Sequence, residues 1–239
     1  MVKTLVIVPA YNEAMNIVRV VDNIRDAAET LSGVRLDVVV VNDGSTDRTL
    51  DAAESTDAIV LDLPYNLGIG GAVQTGFRYA CEYGYDIAVQ IDGDGQHDPQ
   101  FINKLIAPIM AGTHDVVIGS RFLDPSRSGF KSTFARRIGI KMFEWINSII
   151  IRQTITDNTS GFRAYNKRTI ALLAQEYPAD YPEPETVIQL GLRNFRITEI
   201  PVIMKERQGG RSSIRPWASG YYMIKVLLAI FVNVFKKSS

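Results

Sequence analysis

Short apolar runs that alternate with amphipathic stretches are the feature that most restricts how this chain can fold. The runs are continuous and rich in β-branched residues, which is typical of strands buried on both faces. The stretches between them repeat apolar residues at helical spacing, as Ile17, Val20, Val21 and Ile24 do. This alternation predicts an α/β fold in which a mostly parallel central sheet is flanked by helices on both sides. The predicted strands cover residues 5–8, 36–41, 58–61, 87–91 and 116–118.

Polar or glycine-rich residues are found at the ends of four of these predicted strands. In parallel sheets, ligands bind at the carboxyl ends of the strands, because those ends lie along one edge. We therefore expect one edge of the sheet to carry the functional residues. The segments concerned are 9–13 (PAYNE), 42–45 (NDGS), 92–94 (DGD) and 119–121 (GSR).

An acidic loop after the fourth predicted strand gives the clearest indication of a bound group. Asp92 and Asp94 lie two residues apart, and like charges this close repel each other unless a cation lies among them. Together with the side-chain oxygen of Gln96 they offer the hard ligands that Mg²⁺ or Mn²⁺ prefers, and such cations often bridge to phosphates. A calcium EF-hand is excluded, because His97 stands at its glycine position and Asn103 at its terminal glutamate position.

A solvated turn that caps a helix is the alternative interpretation of this acidic loop. We adopt it for Asp98, because an aspartate directly before Pro99 is typical of a helix N-cap. The two histidines, His97 and His114, predict no catalytic set, although one of them could line the metal loop.

Two further segments predict contacts with a nucleotide. Asp47 suffices to cap the helix after the second strand, so Asp43 is not needed as the cap. Asp43 is therefore able to accept a hydrogen bond from a nucleobase imide. A role for Asp43 in the turn alone is equally compatible with the sequence. Gly70 lies in a glycine-rich stretch that opens a helix. The dinucleotide-binding motif is excluded there because its third glycine would fall on Val73. Gly70 would let backbone approach a nucleotide closely, while a plain helix-entry turn explains it nearly as well.

The composition excludes several classes of protein. Lys+Arg and Asp+Glu are equal at 26 each, so the overall charge does not predict a nucleic-acid partner. The single cysteine, Cys81, rules out an internal disulfide and is typical of a reducing compartment. The first apolar run is too short for a signal peptide, and no stretch holds the ~18 uncharged apolar residues of a membrane span.

Basic residues gather in the second half of the chain. Residues 134–150 repeat apolar residues at helical spacing beside Arg136 and Arg137, and residues 221–235 form an apolar segment between basic residues. Basic amphipathic helices with a tryptophan bind anionic membrane surfaces, although a surface helix packed on the core explains the first segment equally well. We predict one domain over residues 1–215 and an amphipathic membrane-interface tail over residues 216–239.

Taken together, these motifs resemble those of the family 2 glycosyltransferases, which have the GT-A (Rossmann-like) fold. The resemblance is strongest to the branch of dolichol-phosphate mannosyltransferase and the bacterial polyprenyl-phosphate glycosyltransferases. It spans nearly the whole chain, and it implies that residues 1–215 are the catalytic domain. The motifs that carry it are, in order, VPAYNE, VVNDGSTD, NLGIGGAVQTG, QIDGDGQHDP, GSRF, DNTSGFRAYNK and RQGGRSS.

The resemblance also implies a role for each motif. The nucleotide pocket would be lined by Pro9, Tyr11, Glu13 and Asp43. The donor diphosphate would be held by Arg207 and by a Mg²⁺ or Mn²⁺ ion on Asp92, Asp94 and Gln96. The acceptor phosphate would be bound by Arg121, Arg136 and Arg137, beside an acceptor wall at residues 160–163. Both Arg136 and Arg137 are candidates for the second acceptor arginine. The serine that relatives often place four residues after this arginine is here Ile140, which leaves Arg136 less favoured over Arg137.

The expected reaction is the inverting transfer of a sugar, from UDP-GlcNAc or UDP-Glc, to undecaprenyl or another polyprenyl phosphate. It would occur peripherally at the cytoplasmic face of the membrane, where a small membrane protein could be a partner. An anionic phosphate acceptor requires no strong base, whereas a glycan hydroxyl acceptor would require one, and Asp157 is then the candidate. A sugar-nucleotide pyrophosphorylase is disfavoured because its glycine-rich loop should follow the first strand. A non-catalytic nucleotide-binding module is the remaining alternative.

Overall fold

The computed structural model describes residues 1–123, 154–179 and 182–205. Seven strands form one sheet in these residues, in the spatial order β3-β2-β1-β4-β6-β5-β7. The strands are β1 (Val2–Ala10), β2 (Val34–Asn42), β3 (Ile59–Asp62), β4 (Ile87–Gln90), β5 (Val116–Ser120), β6 (Arg163–Asn166) and β7 (Ile197–Pro201).

The sheet is mostly parallel, as the alternating pattern predicts. Strand β1 pairs in parallel with β2 and β4, and β2 with β3. Strands β5 and β7 are also parallel to each other. Strand β6 alone among these runs antiparallel, between β4 and β5. The α/β prediction is confirmed, and the architecture is that of a GT-A fold.

Helices cover both faces of the sheet and bury two separate apolar cores. One core joins β1 and β2 to α3, α5 and α6 through side chains such as Phe77 and Leu190. The other core joins the opposite face to α1 and α4 through residues such as Ile24 and Leu105. The helices are α1 (Ile17–Ala28), α2 (Thr49–Glu54), α3 (Gly68–Glu82), α4 (Ile102–Met110), α5 (Lys167–Leu173) and α6 (Pro182–Leu192).

The carboxyl ends of the central strands meet at one edge. Backbone N–H of Asp43 donates to the carbonyl oxygen of Ala10 at 2.9 Å, which joins the ends of β1 and β2. Gly93 lies against the carbonyl of Pro9, so the acidic loop follows the same edge. The N–H of Val202 donates to the carbonyl of Ser120 at 3.0 Å, which adds the ends of β5 and β7. The predicted edge therefore exists, and its role as the functional edge stays a prediction.

Several predictions concern residues outside the described ranges. They are the basic amphipathic segment at 134–150, the apolar segment at 221–235, and the division between residues 215 and 216. Within the ranges that are described, no helix is both long enough and apolar enough to cross a membrane.

Candidate active site

The acidic loop turns sharply after β4 and directs two carboxylates to the edge of the sheet. Gly95 adopts a left-handed φ of 75°, which allows the turn. The N–H of Gln96 donates to Oδ1 of Asp94 at 3.0 Å and fixes one carboxylate on the loop. The N–H of Asp92 donates to Nδ1 of His97 at 3.3 Å. Asp98 caps the following turn by accepting from the N–H of Gln100, as predicted.

Asp92 lies against a glycine of a distant segment, and its side chain is 35% exposed. A Cβ atom added to Gly161 would be 2.8 Å from both carboxylate oxygens of Asp92, so only glycine leaves room for this side chain. Burial, and then the charge of Asp94, raise the pKa of Asp92 to about 7, against opposing effects of Arg121 and Arg163. A nearby cation would favour the charged form of this carboxylate, so Asp92 is a candidate metal ligand.

His97 is the buried neighbour of Asp92 that the sequence barely indicated. Its ring stacks on Phe162, with centroids 5.1 Å apart, and its Nε2 lies 3.9 Å from Oδ2 of Asp92. Burial is the main cause that lowers the pKa of His97 to about 4, so the ring is neutral at pH 7. Because Nδ1 accepts from the Asp92 N–H, the proton of the neutral ring is assigned to Nε2, on the side of the carboxylate.

The donor set fits a hard divalent cation that is shared with a ligand. Asp92 and Asp94 supply oxygens, and within residues 1–123, 154–179 and 182–205 no group of three or more acidic, histidine or cysteine side chains forms a complete cage. Magnesium-type sites commonly use one or two carboxylates and complete their coordination with water and phosphate oxygens. The Nε2 of Gln96 donates to the carbonyl of Lys205 at 3.4 Å, so its amide also holds the segment after β7.

The predicted nucleotide pocket lies along the ends of β1 and β2. Tyr11 is 42% exposed at this edge, while Glu13 is buried and accepts from Nδ2 of Asn16 at 2.7 Å. The N–H of Glu13 donates to Oγ1 of Thr49 at 2.8 Å, which ties the PAYNE segment to α2. The structure brings Tyr11 and Glu13 to the same edge as Asp92, and their contacts with a nucleotide stay a prediction.

Asp43 is held by the glycine-rich loop that precedes α3. Its Oδ1 accepts from the N–H of Leu67 at 2.7 Å, and burial raises the pKa of the carboxyl group above its usual value. At Gly70 an added Cβ would lie 2.6 Å from the carbonyl oxygens of Pro178 and Ala179. This internal contact is sufficient reason for glycine at position 70, so the predicted approach of a nucleotide stays a prediction.

Arg121 and Asp157 form a buried, two-pronged ion pair. Nε and Nη2 of Arg121 each lie 2.7 Å from a different carboxylate oxygen of Asp157. Burial alone would raise the pKa of Asp157, but the hydrogen bonds and charge of Arg121 outweigh it and lower the pKa. An aspartate that keeps its charge this firmly is a poor general base. Arg121 still faces the acidic loop, since its charge acts on Asp92.

Glu199, on β7, shapes the segment that carries Asp157. Its two carboxylate oxygens accept from the N–H groups of Thr156 and Asp157, each at 2.8 Å. Oγ1 of Thr156 also lies 2.7 Å from Oγ of Ser120, at the end of β5. The sequence offered no signal for this role, because the bonds join positions more than 40 residues apart.

Arg163 stabilises the segment that is predicted to line the acceptor site, residues 160–163, through buried hydrogen bonds. Although it is only 1% exposed, its guanidinium donates to the carbonyls of Ser160, Asn158 and Glu183 at 2.7–2.8 Å. Arg163 therefore fixes backbone beside Asp92 instead of presenting a charge to solvent. The remaining predicted arginines, Arg136, Arg137 and Arg207, lie outside the described residues.

Solved structures share this architecture. Glucosyl-3-phosphoglycerate synthase from Mycobacterium tuberculosis, solved in complex with Mn²⁺, UDP and phosphoglyceric acid, superposes with a TM-score of 0.68 at 20% sequence identity. The match covers 97% of this chain and 78% of that one. The fold is therefore the GT-A fold.

Sequence comparisons place the chain within one family. The model of Glycosyl transferase family 2 matches residues 5–172. An undecaprenyl-phosphate mannosyltransferase of Micrococcus luteus is 33% identical over 236 residues, or 94% of this chain and 92% of the relative. The UDP-N-acetylglucosamine–dolichyl-phosphate N-acetylglucosaminyltransferase of Methanococcus voltae is 31% identical over 216 residues, covering 82% and 83%. The chain belongs to glycosyl transferase family 2 and is a glycosyltransferase.

Proposed function

We propose that this enzyme transfers a sugar from a nucleotide-sugar to the phosphate of a polyprenyl carrier. The product would be a lipid-linked sugar that serves as donor in cell-surface glycan assembly. The observation that carries the proposal is similarity over most of both chains to transferases whose names specify undecaprenyl phosphate or dolichyl phosphate. The acidic loop and the largely buried Arg121 at the same edge support a working site.

UDP-GlcNAc or UDP-Glc is the proposed donor. The relative from Methanococcus voltae is named for UDP-N-acetylglucosamine, which supports the first of these. The structural neighbour binds UDP at a similar fold, at an identity of 20% that supports the fold alone. A mannosyl donor, which the name of the Micrococcus luteus relative indicates, is the competing outcome.

Asp92 and Asp94 are the residues that would hold Mg²⁺ or Mn²⁺, with Gln96 beside them. When bound, the cation would neutralise charge on the leaving nucleoside diphosphate. The fit comes from the residues themselves, because Asp92 and Asp94 provide hard oxygen ligands, and burial together with the charge of Asp94 raises the pKa of Asp92. Arg207, outside the described residues, is proposed as a second contact to the diphosphate.

The chemistry requires no strong base on the protein. A phosphate monoester is already anionic at neutral pH, so its oxygen can attack the anomeric carbon directly. The bond from that carbon to the diphosphate oxygen breaks as the new bond forms, and the configuration inverts. Asp157 is suited to holding Arg121 in place, and Arg121, with Arg136 and Arg137, would bind the acceptor phosphate. The protein's contribution is alignment and stabilisation of charge.

A peripheral position at the cytoplasmic face of the membrane follows from the proposed acceptor. The basic and apolar residues of segment 216–239 support binding to an anionic lipid surface. A small membrane protein as partner is proposed on the same ground. Transfer to a glycan hydroxyl is the second candidate, and the low pKa of Asp157 counts against it, because Asp157 was the base that it needed.

The decisive experiment incubates the protein with radiolabelled UDP- and GDP-sugars, Mg²⁺ or Mn²⁺ and undecaprenyl phosphate, followed by organic extraction. We expect extractable label from one donor, lost in Asp94→Asn. Asp98→Asn is the matched control, because it removes a charge from the same loop while asparagine remains a good N-cap.

Lipid-linked label in wild type and Asp98→Asn, but not in Asp94→Asn, would support the proposal. Absence of label with every donor, from folded protein, would contradict the polyprenyl-phosphate acceptor. Undiminished label in Asp94→Asn would contradict the role of the acidic loop.

A further inference from the structure

A second polar cluster lies beside Asp92, beneath the first turn of α6. Its members are Gln90, the last residue of β4, and Glu183, the second residue of α6. Gln90 stands opposite Arg163 in the β4–β6 register, and Arg163 donates through Nη1 to the carbonyl of Glu183 at 2.8 Å. The cluster is thus tied to the acidic loop on one side and to α6 on the other.

Gln90 carries a buried donor with no partner. The side chain is 0% exposed, and its Oε1 accepts from the hydroxyl of Tyr177 at 3.4 Å. Its Nε2 has no hydrogen-bond partner among the residues that the structure describes. Buried amide groups are nearly always paired, so an unpaired one indicates that a further molecule completes the site.

Glu183 provides the complementary acceptor. Its backbone carbonyl accepts from Arg163, and its carboxylate accepts a hydrogen bond from the N–H of its own residue. Burial is the main cause that raises the pKa of this carboxyl group, and the charges of Arg163 and Asp92 also act on it. A carboxylate in such surroundings is stabilised when a ligand donates further hydrogen bonds to it.

The order of the strands indicates which part of a ligand reaches this cluster. Asp43, the proposed nucleobase contact, follows β2, and Asp92, the proposed diphosphate site, follows β4. The sheet runs β2-β1-β4-β6, so Gln90 and Glu183 lie at β4 and beyond it, on the side away from Asp43. In a nucleotide-sugar the sugar is also the group beyond the diphosphate. A phosphate is disfavoured here, because Glu183 would repel it.

We propose that Glu183 and Gln90 bind the hydroxyl groups of the donor sugar and so determine which sugar is accepted. A sugar hydroxyl both donates and accepts, which matches a carboxylate acceptor beside an amide donor. This inference rests on the proposed function, since it assumes that the acidic loop binds the donor diphosphate.

The test compares a nucleotide-sugar with its nucleoside diphosphate by titration calorimetry in the presence of Mn²⁺. The probes are UDP, UDP-Glc and UDP-GlcNAc, with GDP and GDP-mannose as the second series. We expect Glu183→Ala to weaken binding of the accepted nucleotide-sugar about 10- to 100-fold, because hydrogen bonds to a charged group are lost. Binding of the nucleoside diphosphate alone should stay within about twofold of wild type.

Two further variants sharpen the result. Gln90→Met keeps the length of the side chain and removes its polar atoms, so it should weaken the nucleotide-sugar selectively in the same way. Glu82→Gln, an exposed residue at the far end of α3, is the control and should leave both affinities unchanged. A preserved affinity for the nucleoside diphosphate also shows that each variant is folded.

The outcomes separate the inference from the function on which it rests. If wild type transfers sugar to lipid while Glu183→Ala and Gln90→Met bind the nucleotide-sugar normally, the sugar site is wrong and the proposed function stands. Loss of nucleotide-sugar and nucleoside diphosphate binding together would also overturn the sugar site. If wild type binds no nucleotide or nucleotide-sugar, both proposals fail.

Discussion

At the scale of single residues, the site depends on a glycine that has no chemistry of its own. Gly161 lies so close to Asp92 that an added methyl group would be 2.8 Å from both carboxylate oxygens. Contacts below 3.0 Å force one partner to move, and Asp92 is the partner that the proposed metal needs in place. The absence of a side chain at Gly161 therefore leaves the room that Asp92 needs to keep its position.

Gly161→Ala should reduce Mn²⁺-dependent nucleotide binding and transfer at least about tenfold, because a displacement of about 1 Å in an active site has effects of that size or more. The melting temperature should change little, since the new methyl group meets a functional side chain and not the core. Calorimetric titration of Mn²⁺ and UDP measures the first effect and thermal unfolding the second. Unchanged affinity would mean that Asp92 moves without consequence.

Asp157 and Arg121 are a second pair whose energetics belong to the residue scale. Both side chains are largely inaccessible, at 0% and 12% exposure, so removing one leaves a buried charge without its partner. Asp157→Asn should therefore lower the free energy of unfolding by about 3–5 kcal/mol at pH 7. Urea unfolding measures this difference. A loss below about 1 kcal/mol would indicate that solvent already screens the pair.

The same pair predicts a pH dependence. Because the folded-state pKa of Asp157 is lowered, its contribution to stability is present above the unfolded value of about 3.9 and is lost as the pH falls below it. The difference between wild type and Asp157→Asn should hence shrink from pH 5 towards pH 2. A difference that stays constant across this range would contradict the lowered pKa.

At the scale of elements, the sequence predicts five strands and misses two. Strands β1 to β5 are apolar runs, which are typical of strands covered on both faces. Strand β6, Arg163–Asn166, begins with a buried arginine and ends with an asparagine that caps α5. Strand β7, Ile197–Pro201, contains Glu199 and ends in proline. Local pattern fails for both, because their polar residues are paired through the folded structure: Arg163 donates to three backbone carbonyls, and Glu199 accepts from Thr156 and Asp157.

Glu199 shows how one strand positions another segment. Glu199→Ala should lower kcat for transfer about tenfold or more, because the N–H groups of Thr156 and Asp157 lose their acceptor and Arg121 loses its fixed partner. Glu199→Gln, which keeps one acceptor oxygen, should restore part of this loss. Steady-state kinetics measures both variants. Equal activity of the two would contradict the role of Glu199 as a hydrogen-bond acceptor.

At the scale of the whole molecule, we propose separate roles for the sheet and for the carboxyl-terminal segment, residues 216–239. A chain that ends at residue 215 should keep Mn²⁺-dependent UDP binding but lose sedimentation with vesicles that contain anionic lipid, because the apolar and basic residues of 216–239 are removed. Vesicle sedimentation at low and high salt measures the effect. The proposal for this segment fails if the shortened chain sediments as the full chain does.

The sequence by itself determines the layered α/β architecture, the edge at which the site lies, and the acidic loop. These follow from local information, since apolar runs, helical periodicity and the residues after each strand are all read within a few positions. Together with the ordered motifs they also indicate the family, which the comparisons confirm.

The tertiary structure alone decides how the site is supported. It pairs Asp157 with Arg121, places Gly161 against Asp92, and joins Glu199 to Thr156 and Asp157. Each of these contacts joins segments that are separated along the chain by 36 residues or more, as the bond of Arg121 to Asp157 is. No local pattern encodes such a contact, because its energy comes from burial and charge that exist only once the sheet has assembled.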